Sequence, residues 1–168
     1  MAWRPVCSTG IVRVGTKRLR VAWTSAGVAF VDDATPTAKR LMAKRLKMQL
    51  VERSVPAAIA AAIKKAPQRP GGDDVPIDLS WARDYERDVL LAARSIPWGE
   101  TQPYSWLARE ARRPRAIRAA ASVIARNPLW FLVPWHRVVH KGGSDGKNNS
   151  SFAKRKRALL AREQHTNV

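Results

Sequence analysis

The sequence predicts an α+β chain: a small N-terminal domain of β-sheet plus helix, then a mainly helical, winged helix-turn-helix-like domain. Three observations predict it. Strand-like alternation is confined to the first thirty or so residues. Helix-period patterns dominate the second half. Between them runs Pro67-Gln68-Arg69-Pro70-Gly71-Gly72-Asp73-Asp74, a stretch of turn and breaker residues. The expected domains are 1–72, ending in a linker over 67–76, and 77–168.

Residues 11 to 31 read as a β-meander. From Lys17 to Trp23, Leu19, Val21 and Trp23 point to one face and Arg18, Arg20 and Ala22 to the other. Gly15-Thr16 and Ser25-Ala26-Gly27 are turn signals, and Val28 to Val31 forms the third strand. Thr37 to Arg53 reads as one helix, with Ala38, Met42, Leu46 and Leu50 recurring every four residues. Its Lys39, Arg40, Lys44, Arg45 and Lys47 form a basic stripe, either a solvated face or a phosphate contact. A second, alanine-rich helix runs from Pro56 to Ala66.

In the C-terminal half a helix from Ser80 to Ser95 has Ser80 as N-cap and Trp81, Tyr85, Val89 and Ala92 or Ala93 as its buried stripe. Ile96-Pro97-Trp98-Gly99 ends it. Tyr104 to Ala111 is a short helix, Arg112-Arg113-Pro114-Arg115 a turn, and Ala116 to Arg126 a helix stopped by Asn127-Pro128. Helix, basic turn, helix is a helix-turn-helix shape, which any two packed helices also produce. In the second helix Ile117, Ala121 and Ile124 form the expected core face. Arg118, Ala119, Ser122 and Ala125 lie opposite. Small residues where long charged ones usually stand let a backbone approach closely, either inside the domain or against a partner. An apolar run, Leu129 to Val133, leads into Pro134-Trp135-His136-Arg137-Val138-Val139. A polar loop follows, and Phe152 to Glu163 forms a last, basic helix.

Charge bounds the partner. The 168 residues carry 31 Lys and Arg against 13 Asp and Glu, a net +18. Such an excess favours a polyanion, most often nucleic acid, though a ribosomal or generally adhesive basic protein shares it. The single cysteine, Cys7, excludes a disulfide framework and a cysteine-rich zinc site. No apolar run approaches the ~20 residues of a membrane span, and the N-terminus has no signal-peptide core. The expectation is a cytoplasmic, nucleoid-associated protein.

The stretch Ile96-Pro97-Trp98-Gly99-Glu100-Thr101, Tyr104, Arg118, Asn127-Pro128 and Pro134 to Val138 stands in one register. It resembles the O6-alkylguanine-DNA alkyltransferases, from about Tyr85 to Glu163. One departure is decisive: Trp135 stands where the family's alkyl-accepting cysteine should be. In this the chain looks like the alkyltransferase-like proteins, which bind alkylated guanine without removing the alkyl group.

The resemblance implies double-stranded DNA containing O6-alkylguanine as partner, nucleotide excision repair proteins beyond it, a monomer, and neither metal nor cofactor. It implies DNA contacts at Tyr104, Arg115, Arg118, Ala119 and Ser122. Arg118 would fill the gap left by a flipped base and Tyr104 would help rotate the nucleotide. It implies a lesion pocket at Trp135, Asn127, Val138, Asn149 and Ser150, with Asn127 tying the helix-turn to the active-site segment. It makes His136 the remnant base and Glu163 its orienting carboxylate. No catalytic residue is expected, since the histidine of the enzymes serves a thiolate that this site lacks. Where the family has a Tyr-Ser-Gly-Gly-like loop, this chain has Asn148-Asn149-Ser150-Ser151, without an aromatic wall.

Overall fold

A computed structural model describes residues 5–66, 75–142 and 150–165. The chain forms two compact units: Met1–Arg83 with Pro128–Val133, and Asp84–Asn127 with Pro134–Val168.

The first unit is built on a four-stranded sheet. Strands β1 (Val6–Val14), β2 (Lys17–Thr24) and β3 (Gly27–Asp33) form the antiparallel meander, and β4 (Gln49–Glu52) lies parallel to β1 at its other side. The meander thus starts at Val6, earlier than the expected residue 11. Ala22, on the face opposite Leu19, Val21 and Trp23, is wholly buried. It packs with Cys7, Ala29 and Phe30 against Met42 and Leu46 of α1 (Pro36–Leu46). Burial of Leu19, Val21 and Val31 completes the other side of the sheet.

Helix α1 is capped by Thr35, whose Oγ1 accepts from the Ala38 amide at 3.0 Å, and Pro36 fills its first position. The expected helix from Thr37 to Arg53 is corrected at its end. Lys47 adopts a left-handed conformation (φ 53°), closing the helix. Leu50 then lies in β4, opposite Cys7, rather than on a fourth helical turn. The strand pairing satisfies backbone groups that a longer helix would have satisfied internally. A short α2 (Ala57–Lys65) packs against β1.

Gly27 is required by close approach. Its φ is +139°, and a Cβ there would lie 2.3 Å from the Pro76 carbonyl oxygen. That contact lets Val28 donate to Pro76 O at 2.8 Å and Asp78 donate to Val28 O at 2.9 Å. Asp78 anchors the same corner: it accepts from the Thr24 hydroxyl at 2.5 Å and the Ser80 amide at 2.8 Å. Burial alone would raise its pKa; the bonds from Thr24 and Ser80 outweigh this and hold it low. Residues 75–83 therefore lie with the sheet, and α3 runs over Asp84–Arg94, not from Ser80. Ser80 caps no helix; its amide is tied to Asp78, and Trp81 packs on the α1 face of the sheet. The segment 128–133 also belongs here, with the Val31 amide donating to Pro128 O at 2.8 Å.

The second unit packs α3, α4 (Tyr104–Glu110) and α5 (Ile117–Ala125) on one another. A two-residue strand, β5 (Gln102–Pro103), pairs in parallel with β6 (Val138–Val139), a pairing too short to carry a periodic signal. Trp135–Arg137 forms a single 3₁₀ turn, and α6 (Ser151–His165) closes the unit.

The face of α5 is also corrected. Ala120, Val123 and Ile124 are buried, whereas Ile117 is 41% exposed. Both sets are permissible apolar stripes, since i, i+3, i+4 and i, i+4, i+7 each trace one helical face. Packing against α3 and α4 selects the one that places the small Ala120 at the contact.

Candidate nucleic-acid interface

Helix α4, the turn at 111–116 and helix α5 form the helix-turn-helix. The turn is held from α3: Tyr85 donates its hydroxyl to Ala116 O at 2.9 Å, and the Arg113 guanidinium lies 5.3 Å from its ring centroid. Arg112 takes a positive φ of 58° to make the bend. This fixes where α5 starts. Arg115, Arg118, Ala119 and Ser122 are all exposed, so four of the expected DNA-contacting residues share the outward side of the turn and α5. No acidic residue occurs from Ala111 to Gly142. Tyr104 sits apart from these, at the start of α4. It is half-buried, 5.2 Å from the His140 ring and 5.9 Å from the Lys156 ammonium. The β5–β6 pairing sets it beside that segment.

The same unit holds a buried ionic network. His136 and Glu163 are 0% and 1% exposed, and His136 Nε2 meets Glu163 Oε1 at 2.6 Å. Arg137 Nε donates to both Glu163 oxygens, at 3.2 and 3.0 Å. The Gly99 amide donates to Oε2 at 3.0 Å. Arg137 also donates to Ile96 O at 2.6 Å and lies 5.3 Å from the Trp98 ring centroid. Burial pushes Glu163 upward, but the bonds from His136, Arg137 and Gly99 together hold it below the ordinary carboxylate range. Burial also lowers His136, against the opposing pull of Glu163, so the imidazole is neutral near pH 7. With an ionised carboxylate at Nε2, the ring proton sits there and donates. Nδ1 is left as an acceptor, with no hydrogen-bond partner among the described residues.

Trp135, next to this network, is 5% exposed. Its indole stacks on Phe152 at 4.4 Å between centroids, with 29° between planes. Phe152 itself is 52% exposed. Val138 and Asn127 are buried; Ser150 is exposed, and its Oγ accepts from the Ala153 amide at 3.2 Å, capping α6. Asn149 lies outside the described residues.

The structure thus brings Trp135, His136 and Glu163 into one buried region and leaves Arg115, Arg118, Ala119 and Ser122 on a surface. The sequence assigns no site role to Arg137, Gly99 or Phe152. Arg137 follows His136 in the same short motif, and a single 3₁₀ turn gives no periodicity to say that both point inward. Cys7 belongs to the first unit. It is wholly buried in β1, its thiol donates to Trp23 O at 3.3 Å, and burial, then the charge of Asp78, raise its pKa to about 11. Among the described residues no helix is long and apolar enough to cross a membrane.

Residues 84–165, which hold the helix-turn-helix and this network, match the family described as 6-O-methylguanine DNA methyltransferase, DNA binding domain. A methylated-DNA–protein-cysteine methyltransferase of Methanothermobacter thermautotrophicus is 31% identical over 138 residues, which are 79% of this chain and 76% of that protein. The chain belongs to the methylated-DNA–protein-cysteine methyltransferase family. The bifunctional transcriptional activator/DNA repair enzyme Ada of Escherichia coli is 38% identical over 89 residues, 53% of this chain but only 25% of Ada's length. The crystal structure of Mycobacterium tuberculosis OGT in complex with DNA superposes with a TM-score of 0.66 at 25% identity, covering 94% of this chain and 93% of that one.

Proposed function

We propose that this chain is a non-enzymatic DNA-damage recognition protein. It binds duplex DNA in the minor groove through α5 in the domain that begins near residue 77. It extrudes O6-alkylguanine, holds the base near Trp135 without alkyl transfer, and marks the site for nucleotide excision repair. Trp135 takes the acceptor position of the family. The observation that carries the reading is the combination of an intact buried His136–Glu163–Arg137 network with an indole beside it. Indole carbon and N–H do not take an alkyl group from guanine under mild conditions, whereas stacking is within an indole's repertoire. The chain's only thiol, Cys7, is buried and held protonated, so it offers no substitute nucleophile.

Extrusion costs a few kcal/mol and less for a damaged base, which supplies part of the preference. The small outward residues Ala119 and Ser122 suit a narrow groove, and Arg118 has the planar donor set to replace a missing base.

One observation favours a second reading, a general DNA-binding or regulatory protein with a closed pocket. Trp135 is already covered, and its face is taken by Phe152. Fluorescence polarisation with matched duplexes carrying guanine or O6-methylguanine separates the two. The sensor reading expects wild-type protein to prefer the lesion and to show no covalent alkyl adduct by mass spectrometry, and Trp135→Ala to change that preference. A preference absent in wild type and present only in Trp135→Ala makes Trp135 a plug and overturns the sensor reading.

A further inference from the structure

We propose that Ile117 is a second inserting residue: its side chain wedges against the base step beside the extruded nucleotide, next to the gap that Arg118 fills. This rests on the reading that α5 faces a DNA groove. Ile117 is the first residue of α5 and is 41% exposed. Around it Arg112, Arg113, Arg115, Arg118 and Arg126 are exposed, as are the small Ala119, Ser122 and Ala125. Among the described residues of the turn and α5 it is the one large apolar side chain exposed, beside cationic and small ones.

Ile117 stands outside the buried stripe of its helix, with 41% of its surface exposed. The buried stripe of α5 is Ala120, Val123 and Ile124, and a β-branched residue is a poorer helix former than alanine at an exposed position. The acid-free run around it selects a polyanion as the occupant of this face. Phosphates offer an isoleucine nothing, however. The apolar surface a duplex can offer lies on sugars and on base faces laid open by partial unstacking, where minor-groove proteins insert side chains of this kind. Successive helix residues project about 100° apart with a rise of about 1.5 Å. Arg118 can therefore occupy the vacated position while Ile117 leans on the adjoining pair. Tyr85 and the positive-φ Arg112 hold the start of the helix that presents both.

The test uses the full chain and an O6-methylguanine duplex with 2-aminopurine at the neighbouring position. Wild-type protein should raise 2-aminopurine fluorescence by unstacking it. Ile117→Ala should abolish most of that rise and weaken lesion-duplex binding by about tenfold, as loss of a partly buried aliphatic contact does. Affinity for the same single strand should not change, and Ile117→Met should restore both duplex signals. An unchanged thermal midpoint in Ile117→Ala shows that the fold is intact. Wild-type behaviour of Ile117→Ala on the lesion duplex, or an equal loss on single strand, overturns the wedge while the groove reading stands. A silent 2-aminopurine signal in wild type, with Arg118→Ala also without effect, overturns the groove reading and the wedge with it.

Discussion

Glu163→Gln should cost the folded state about 3 to 5 kcal/mol, although no catalytic step depends on that carboxylate in the reading advanced above. The size follows from the geometry. Glu163 and Arg137 have 1% and 4% of their side-chain surface exposed, and His136 has none. The carboxylate accepts from His136, from Arg137 twice and from the Gly99 amide. Glutamine keeps the shape but leaves the Arg137 cation buried without a counter-charge, and its amide N–H₂ must face two donors, since each carboxylate oxygen accepts from two. A tautomer change at His136 relieves a single conflict. Urea unfolding read by far-UV circular dichroism measures the loss, with an unchanged slope against denaturant showing that compactness is preserved. A loss below about 1 kcal/mol would refute the account of Glu163 as the unit's ionic anchor. The pH dependence adds a sign. Glu163 is depressed in the fold below 4.5, so its stabilisation is full above that value and fades as pH falls through the folded pKa. His136 is depressed below 6.5, so acidification below 6.5 also favours the unfolded chain. Wild-type stability should thus decline from about pH 6.5 downward; Glu163→Gln should flatten the part below about 4.5 and, by removing the carboxylate that pulls His136 upward, deepen the part that belongs to the histidine.

Arg118→Ala should weaken lesion-duplex binding more than single-strand binding, because only a duplex has a gap to fill; equal losses in a gel-shift titration would assign Arg118 to plain phosphate contact. Log affinity should fall linearly with log salt, by about 0.9 for each phosphate neutralised, and Arg115→Ala should reduce the slope by about that amount. A slope near zero in wild type would remove DNA as the partner. Cys7 should resist a thiol reagent at pH 8 in the folded protein and react on unfolding, since it is wholly buried and its pKa stands at about 11. Rapid labelling of the native chain would contradict the placement of β1.

Much of this architecture is local and so was legible in residue order. Alternation at Lys17–Trp23 and the turns at Gly15 and Gly27 announce the meander, because strand pleat and turn chemistry belong to neighbouring residues. The helix, basic turn, helix and Asn127-Pro128 stop are equally local, as is the run from Pro134 to Val138. Tertiary packing decided the rest. Leu50 continues the four-residue period of α1, yet pairing with β1 is worth more to its backbone than another helical turn, so it becomes β4. Ile117 and Ala120 belong to competing stripes on α5, and contact with α3 and α4 settled which one is buried. The His136–Glu163 contact joins residues 27 apart in sequence, and Arg137 turns inward only because Glu163 and the Ile96 carbonyl are both there to receive it. Periodicity reports which residues can share a face; which face is covered, and which charge meets which, is set by the partner element, and a single strand of sequence carries no record of that distance.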